Sequence, residues 1–180
     1  IRIDNFNHSG SGDFTQDIFD LKTQSKASKL YVKYDGTTYI NNVAIDLDAG
    51  INVNFPESKY TLKDNVLKFN ELDMKGSGFV QLQEDDIITD FEFETASEDF
   101  KSFLSVVPNA YTKDFDKVKA GGKAAVSGKI SGTYSEATNS LPVFDVKIKI
   151  DNGNVQYPAL PQQISGLFAD VNIKTTRPDY

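Results

Sequence analysis

The stretch Phe144-Asp145-Val146-Lys147-Ile148-Lys149-Ile150 alternates apolar and charged residues without interruption. The same beat returns at Val43, Ile45 and Leu47, at Ile51, Val53 and Phe55, and at Ala124 and Val126, where Gly128 carries the parity on to Ile130. Successive side chains of a strand point to opposite faces, so a period of two gathers the apolar residues on one side of a sheet. The pattern predicts one-sided strands near residues 30–34, 43–47, 49–55, 60–62, 66–69, 72–74, 78–83, 88–95, 123–134, 143–150 and 171–174.

Turn chemistry punctuates them. Tyr34-Asp35-Gly36-Thr37 reads as a hairpin, because Asp-Gly supplies the positive φ values of a two-residue turn. Asp64-Asn65, Glu84-Asp85-Asp86 and Asp151-Asn152-Gly153 read as further reversals, and Asn7-His8-Ser9-Gly10-Ser11-Gly12 as a polar connection. Such spacing predicts a meander whose sequential strands pair antiparallel. One segment breaks the beat. From Ser97, an N-cap residue followed by two acids, apolar residues recur three and four apart, which predicts a helix over Ser97–Val107 ended by Pro108. Its packing face is Phe100, Phe103, Leu104 and Val107. A second helical turn is expected near Lys113–Val118, and Leu160, Ile164 and Leu167 are expected to fold back over a sheet edge.

The expected fold is therefore mainly β: a curved, twisted antiparallel meander sheet, a groove or half-barrel, with one short α-helix near residues 97–107. Its 180 residues fit a single domain, 1–180, and a chain of that size can bury roughly 70% of its unfolded surface without a staple. Cysteine is absent, which removes disulfides and thiolate metal sites. A net charge of −7 with no cluster of Lys and Arg argues against nucleic acid and against electrostatic docking on anionic lipid. No apolar run approaches the roughly 18 residues of a membrane span. The chain starts and stops in mid-pattern, so it reads as a piece of a longer protein.

Catalytic chemistry is hard to find. His8 is the lone histidine and reads as a solvated loop residue, and no Gly-x-Ser-x-Gly motif supports a triad. Asp46-Leu47-Asp48-Ala49-Gly50 lacks the later ligands of a calcium loop, and strand alternation explains both aspartates. Gly122-Lys123-Ala124-Ala125-Val126-Ser127-Gly128-Lys129-Ile130 has five residues between its glycines and Ile130 where a phosphate loop needs Ser or Thr. Gly128 and Gly132 read instead as strand bends. Glu84, Asp85, Asp86 and Asp90 read as a solvated turn, with no pair singled out for glycoside hydrolysis. The reading is non-enzymatic, with no catalytic, cofactor-binding or metal residues.

A longer pattern carries a family resemblance. Phe100-Lys101-Ser102-Phe103-Leu104-Ser105-Val106-Val107-Pro108-Asn109-Ala110-Tyr111 is followed by Gly122-Lys123-Ala124-Ala125-Val126-Ser127-Gly128, then Leu141-Pro142-Val143-Phe144 and Val155-Gln156-Tyr157-Pro158-Ala159-Leu160-Pro161. Upstream stand Gly12-Asp13-Phe14, Tyr34-Asp35-Gly36 and Leu67-Lys68-Phe69-Asn70-Glu71-Leu72. In order and spacing this resembles the AsmA family in its Bacteroidetes form, over most of the chain. The resemblance implies the periplasmic portion of an inner-membrane-anchored envelope protein, related to TamB and the repeating-β-groove lipid-transfer proteins. It implies a role in phospholipid traffic and outer-membrane biogenesis, membrane contact through parts of the parent outside this chain, and no catalytic residues.

The apolar positions are then candidates for one of two roles. Val43, Ile45, Leu47, Ile51, Val53, Phe91, Phe93, Val126, Ile130, Phe144, Val146, Ile148 and Ile150 either close on one another as a core or line a trough for acyl chains. The favoured function is lipid handling, with phospholipid or another acyl lipid as partner. The chief alternative is a protein-interaction or scaffold module for outer-membrane protein assembly, whose exposed edge strands add to other envelope proteins. A glycan-binding module ranks third, because Tyr31, Tyr39, Tyr60 and Tyr157 form no evident platform.

Overall fold

The computed structural model of the chain describes residues 1–34, 36–107, 114–158 and 161–175. Ten strands are formed in these residues: β1 Arg2–Asp4, β2 Asn7–Ser11, β3 Ile18–Tyr34, β4 Thr37–Asn54, β5 Lys59–Phe69, β6 Leu72–Gln83, β7 Asp86–Thr95, β8 Lys119–Tyr134, β9 Val143–Gln156 and β10 Ile164–Lys174. They make one antiparallel sheet in the order β1-β3-β4-β5-β6-β7-β8-β9-β10, with β2 also on β3. The fold is mainly β, a meander with a single short α-helix among the described residues.

The strands are longer than the apolar beat predicts, in part because two of the expected reversals are bulges. Asp64-Asn65 lies within β5, at a register shift between Leu62 and Leu67. There the Asn65 side chain replaces ladder partners: Nδ2 donates to the Gly76 carbonyl, and Oδ1 accepts the Gly76 N–H at 3.0 Å. Asp151-Asn152-Gly153 likewise runs through β9, where Asn152 (φ 49°) and Gly153 form a bulge opposite Gly122. By contrast, Glu84-Asp85 is a true two-residue turn, since Gln83 pairs with Asp86. Tyr34 pairs with Thr37 and Gly36 has φ 78°, as a hairpin there requires; Asp35 lies outside the described residues.

The N-terminal half of β3 escapes hydropathy because Thr23, Ser25 and Ala27 occupy its apolar-face positions. Asn7–Ser11 is a strand rather than a loop, pairing with Ser11 against Lys22 and Asn7 against Lys26. His8 therefore sits on an exposed edge strand, with Nδ1 2.9 Å from Ser25 Oγ. Ile164 and Leu167 do not fold back over an edge; they belong to β10, which is the edge. Leu160 lies outside the described residues.

The helix is shorter than expected. α1 spans Phe100–Leu104, with Asp99 as N-cap rather than Ser97. Tertiary pairing takes the residues before it: Glu98 O accepts the Ala124 N–H, and Asp99 bridges to Lys123, so this segment stays extended along β8. Asp99 then turns the chain, its Oδ2 accepting the Ser102 N–H at 2.7 Å. Ser105, Val106 and Val107 continue as hydrogen-bonded turn, and Pro108 lies outside the described residues. A 3-10 turn follows at Phe115–Lys117.

One number summarises the architecture. The accessible surface is 11938 Å² for 20.0 kDa, whereas compact monomers of that mass expose about 8700 Å². Among the described residues each strand contacts its sheet neighbours, and α1 packs against β8, β9 and β6. Among the described residues the sheet is a single layer, covered where α1 packs on one end of it.

Candidate functional site

Register fixes which side chains share a face. Ile51, Leu62, Gly78, Phe91, Ile130 and Phe144 are consecutive partners from β4 to β9, forming one apolar row across six strands. Parallel rows add Ile45–Phe69–Leu72, Leu47–Leu67–Met74 and Val53–Tyr60–Val80. Phe93–Gly128–Val146–Ile173 and Val126–Ile148–Val171 complete the side toward β10, with Ala124–Ile150–Ala169 nearest the helix. All thirteen candidates lie on this face.

They are gathered but not enclosed. Only Val43 and Val53 are fully buried, Ile130 and Phe144 are exposed, and the other nine are half-buried. Tyr60, Leu62, Leu67, Phe69, Leu72 and Met74, absent from the expected set, share the face; in β5 the bulge shifts the parity between residues 62 and 67, and Leu72 and Met74 join only through their pairing with Phe69 and Leu67.

The helix closes one end of the face. Phe100, Leu104, Phe115, Val118, Ala124 and Val155 form a buried cluster, with Phe103, Val107, Ile150 and Leu167 packed against it. Gly153 lets the ring of Phe100 settle on β9, since a Cβ there would stand 3.1 Å from Phe100 Cζ. A polar latch holds the other side of α1. Asn70 Nδ2 donates to Ser105 O at 2.6 Å, Ser105 Oγ accepts the Glu71 N–H at 3.0 Å, and Asn70 Oδ1 accepts the Ala44 N–H at 2.9 Å. The helix is thus clamped between the β5–β6 turn and β9, and the far end of the apolar face stays open.

The opposite face is a ladder of charge. Lys26–Asp46, Lys68–Asp73, Lys75–Glu94, Lys129–Glu92 and Lys174–Asp145 are ion pairs between direct register partners, 2.8 to 3.6 Å apart. Exposed pairs add little stability each, but a slip of one residue would break all of them and turn the apolar face outward. Asp90 and then Glu92 hold the Lys129 ammonium above its ordinary pKa. Lys63 and Asn52 hold the Asp20 carboxyl below its own.

This polar face carries an open trough of about 1270 Å³, running from Lys63 on β5 to Lys174 on β10. A trough across six strands requires the sheet to curve. Its lining includes Lys75, Glu92, Lys129, Asp145 and Lys147, and of the thirteen apolar candidates it touches only Phe93 and Phe144.

Among the described residues no three His, Asp or Glu side chains converge as a metal site, and no helix is long and apolar enough to cross a membrane. A comparison of the chain with protein-family models, with curated proteins and with solved structures returns no match.

Proposed function

We propose that this chain is a non-catalytic lipid-handling module, in which acyl chains of phospholipid lie along the open apolar face. The observation that carries the reading is a ten-stranded sheet with one apolar face that, among the described residues, α1 covers at one end and no second sheet covers. A face of that extent exposed to water is costly and marks an interaction site. The resemblance to the AsmA family supports the same reading. With it comes a periplasmic location in an inner-membrane-anchored parent, serving outer-membrane biogenesis.

The physics sets terms for this role. Leaving a bilayer costs about 0.8 kcal/mol per CH₂. A chain on an open face is covered on one side only, so the sheet returns about half of that, unless neighbouring acyl chains cover the other side. The face therefore favours several chains packed together, or a lipid in transit. Across β4 to β9 it measures roughly 25 Å, longer than the ~15 Å hydrocarbon depth of one leaflet.

Native mass spectrometry of the protein purified from bacterial cells tests the proposal. Copurified phospholipid, lost when Ile130 and Ile148 are both replaced by Asp in a protein that remains folded, is the expected result. A clean apo mass under conditions that preserve lipid in a known carrier contradicts it.

A second reading rests on β10. Its outer edge pairs with nothing among the described residues, and Phe168, Val171 and Ile173 along it are exposed. Such an edge can extend a partner's sheet, which favours the scaffold alternative in outer-membrane protein assembly.

A further inference from the structure

In an antiparallel meander, alternate turns fall at the same end of the sheet. At the end away from α1, each of the four connections carries an exposed apolar side chain at or beside its turn. These are Phe14 between β2 and β3 (67% exposed), Phe55 between β4 and β5 (52%), Leu82 beside the β6–β7 turn (46%) and Leu141 between β8 and β9 (67%).

Two further features mark this rim. It is acidic: residues 12–17, 55–59, 82–86 and 134–142 hold seven carboxylates against one lysine, Lys59. Glu84, Asp85 and Asp86 supply three of the seven. It is also braced, since Phe55 N donates to Asp17 O, Leu82 N to Ser58 O, and Gln81 Nε2 to Glu57 O, at 3.0 to 3.1 Å. These bonds link the first three connections to one another.

Spacing identifies the partner. Successive tips stand two strands apart, about 10 Å, so the row spans roughly 29 Å. Seven residues of α-helix rise about 10.5 Å, so side chains at every seventh position of one helix meet the tips in step. Carboxylates between the tips call for Lys or Arg on that helix, and they repel an anionic bilayer. We propose that the rim docks a basic amphipathic helix of about 20 residues from a protein partner, laid across the four turns.

The test uses a synthetic 22-residue helical peptide with leucine at heptad a and d positions and lysine at the others. A control peptide has the same composition with its leucines shuffled off the repeat. The heptad peptide is expected to bind one to one, more weakly as salt rises. Affinity should fall about tenfold or more for Phe14→Ser with Leu141→Ser, and for Glu84→Lys with Asp85→Lys. Far-ultraviolet circular dichroism confirms that each variant remains folded, and all four positions are exposed. Equal binding of the shuffled peptide, or unchanged affinity in both variants, overturns the proposal. So does rim-dependent binding to phosphatidylcholine vesicles that the peptide does not displace, which would make the partner a lipid surface.

Discussion

Phe93 on β7 and Gly128 on β8 face each other across the apolar side, and the phenyl ring lies where a side chain on Gly128 would stand. On an open face such a ring is free to lift, so Gly128→Ala should cost no more than about 1.5 kcal/mol. Gly78 differs. Its φ is +146°, and an added Cβ would run into the backbone carbonyl of Asp90 and the Cα of Phe91, which cannot move without breaking the ladder. Gly78→Ala should therefore destabilise by about 2–4 kcal/mol, read from denaturant midpoints. The sequence singles out Gly128 as a bend, yet the β7–β8 register runs through it unbroken. What Gly128 provides is room for a neighbour's ring, and that requirement depends on cross-strand pairing which one chain's alternation does not encode. Alternation itself is fully legible: Ile148 and Lys149 fall on opposite faces, paired with Val126 and Ala125. Ile148 is half-buried and Lys149 exposed. Lys149→Asp should shift stability by less than about 0.5 kcal/mol. Ile148→Asp should cost only about 1–2 kcal/mol while abolishing lipid adducts, because its carboxylate keeps contact with water on an open face. Complete unfolding by Ile148→Asp would mean a closed core.

At the scale of elements, α1 is the one piece whose sequence signal and structure diverge in length. Residues 97–99 have good helix-start chemistry, but Glu98 and Asp99 are held against β8, and pairing overrides propensity. The packing face is nonetheless as expected. Phe100 is 1% exposed, seated over Gly153, whereas Phe103 is half-buried. Phe100→Ala should cost about 3–5 kcal/mol, and Phe103→Ala distinctly less, in equilibrium unfolding. Asp99→Ala removes the cap and should cost about 1 kcal/mol. Desolvation pushes the Asp99 pKa up, but the Ser102 hydroxyl and backbone N–H, with help from Lys101, outweigh it and leave the group below its ordinary 3.8. A lowered folded pKa means that the cap's contribution is complete above pH 3.8 and is lost as pH falls through the folded value. The stability difference between wild type and Asp99→Ala should therefore be constant at neutral pH and shrink below pH 3.8. A difference that persists unchanged to pH 2 would assign the cap to geometry alone. The charge ladder is the complementary case: its Lys and acid residues are plain in the sequence, but the pairing Lys129–Glu92 spans 37 positions and becomes visible only once register is known.

For the whole molecule, the excess of accessible surface over a compact protein of equal mass is about 3200 Å², and it is the property from which the proposed function follows. Antiparallel strand order, one-sidedness and the presence of a single helix were all readable from periodicity and turn residues. The open state of the apolar face was not, because alternation is identical for a sheet that packs on a second layer and for one that does not. Nor does alternation reveal the open trough among Lys63, Lys129 and Lys174 on the charged side. The most direct test of acyl-chain binding is photocrosslinking in cells with p-benzoylphenylalanine placed singly at Ile130, Ile148, Lys129 or Lys149. Phospholipid adducts are expected from positions 130 and 148 and none from 129 and 149. Phospholipid adducts from both faces alike, or from neither, would contradict it.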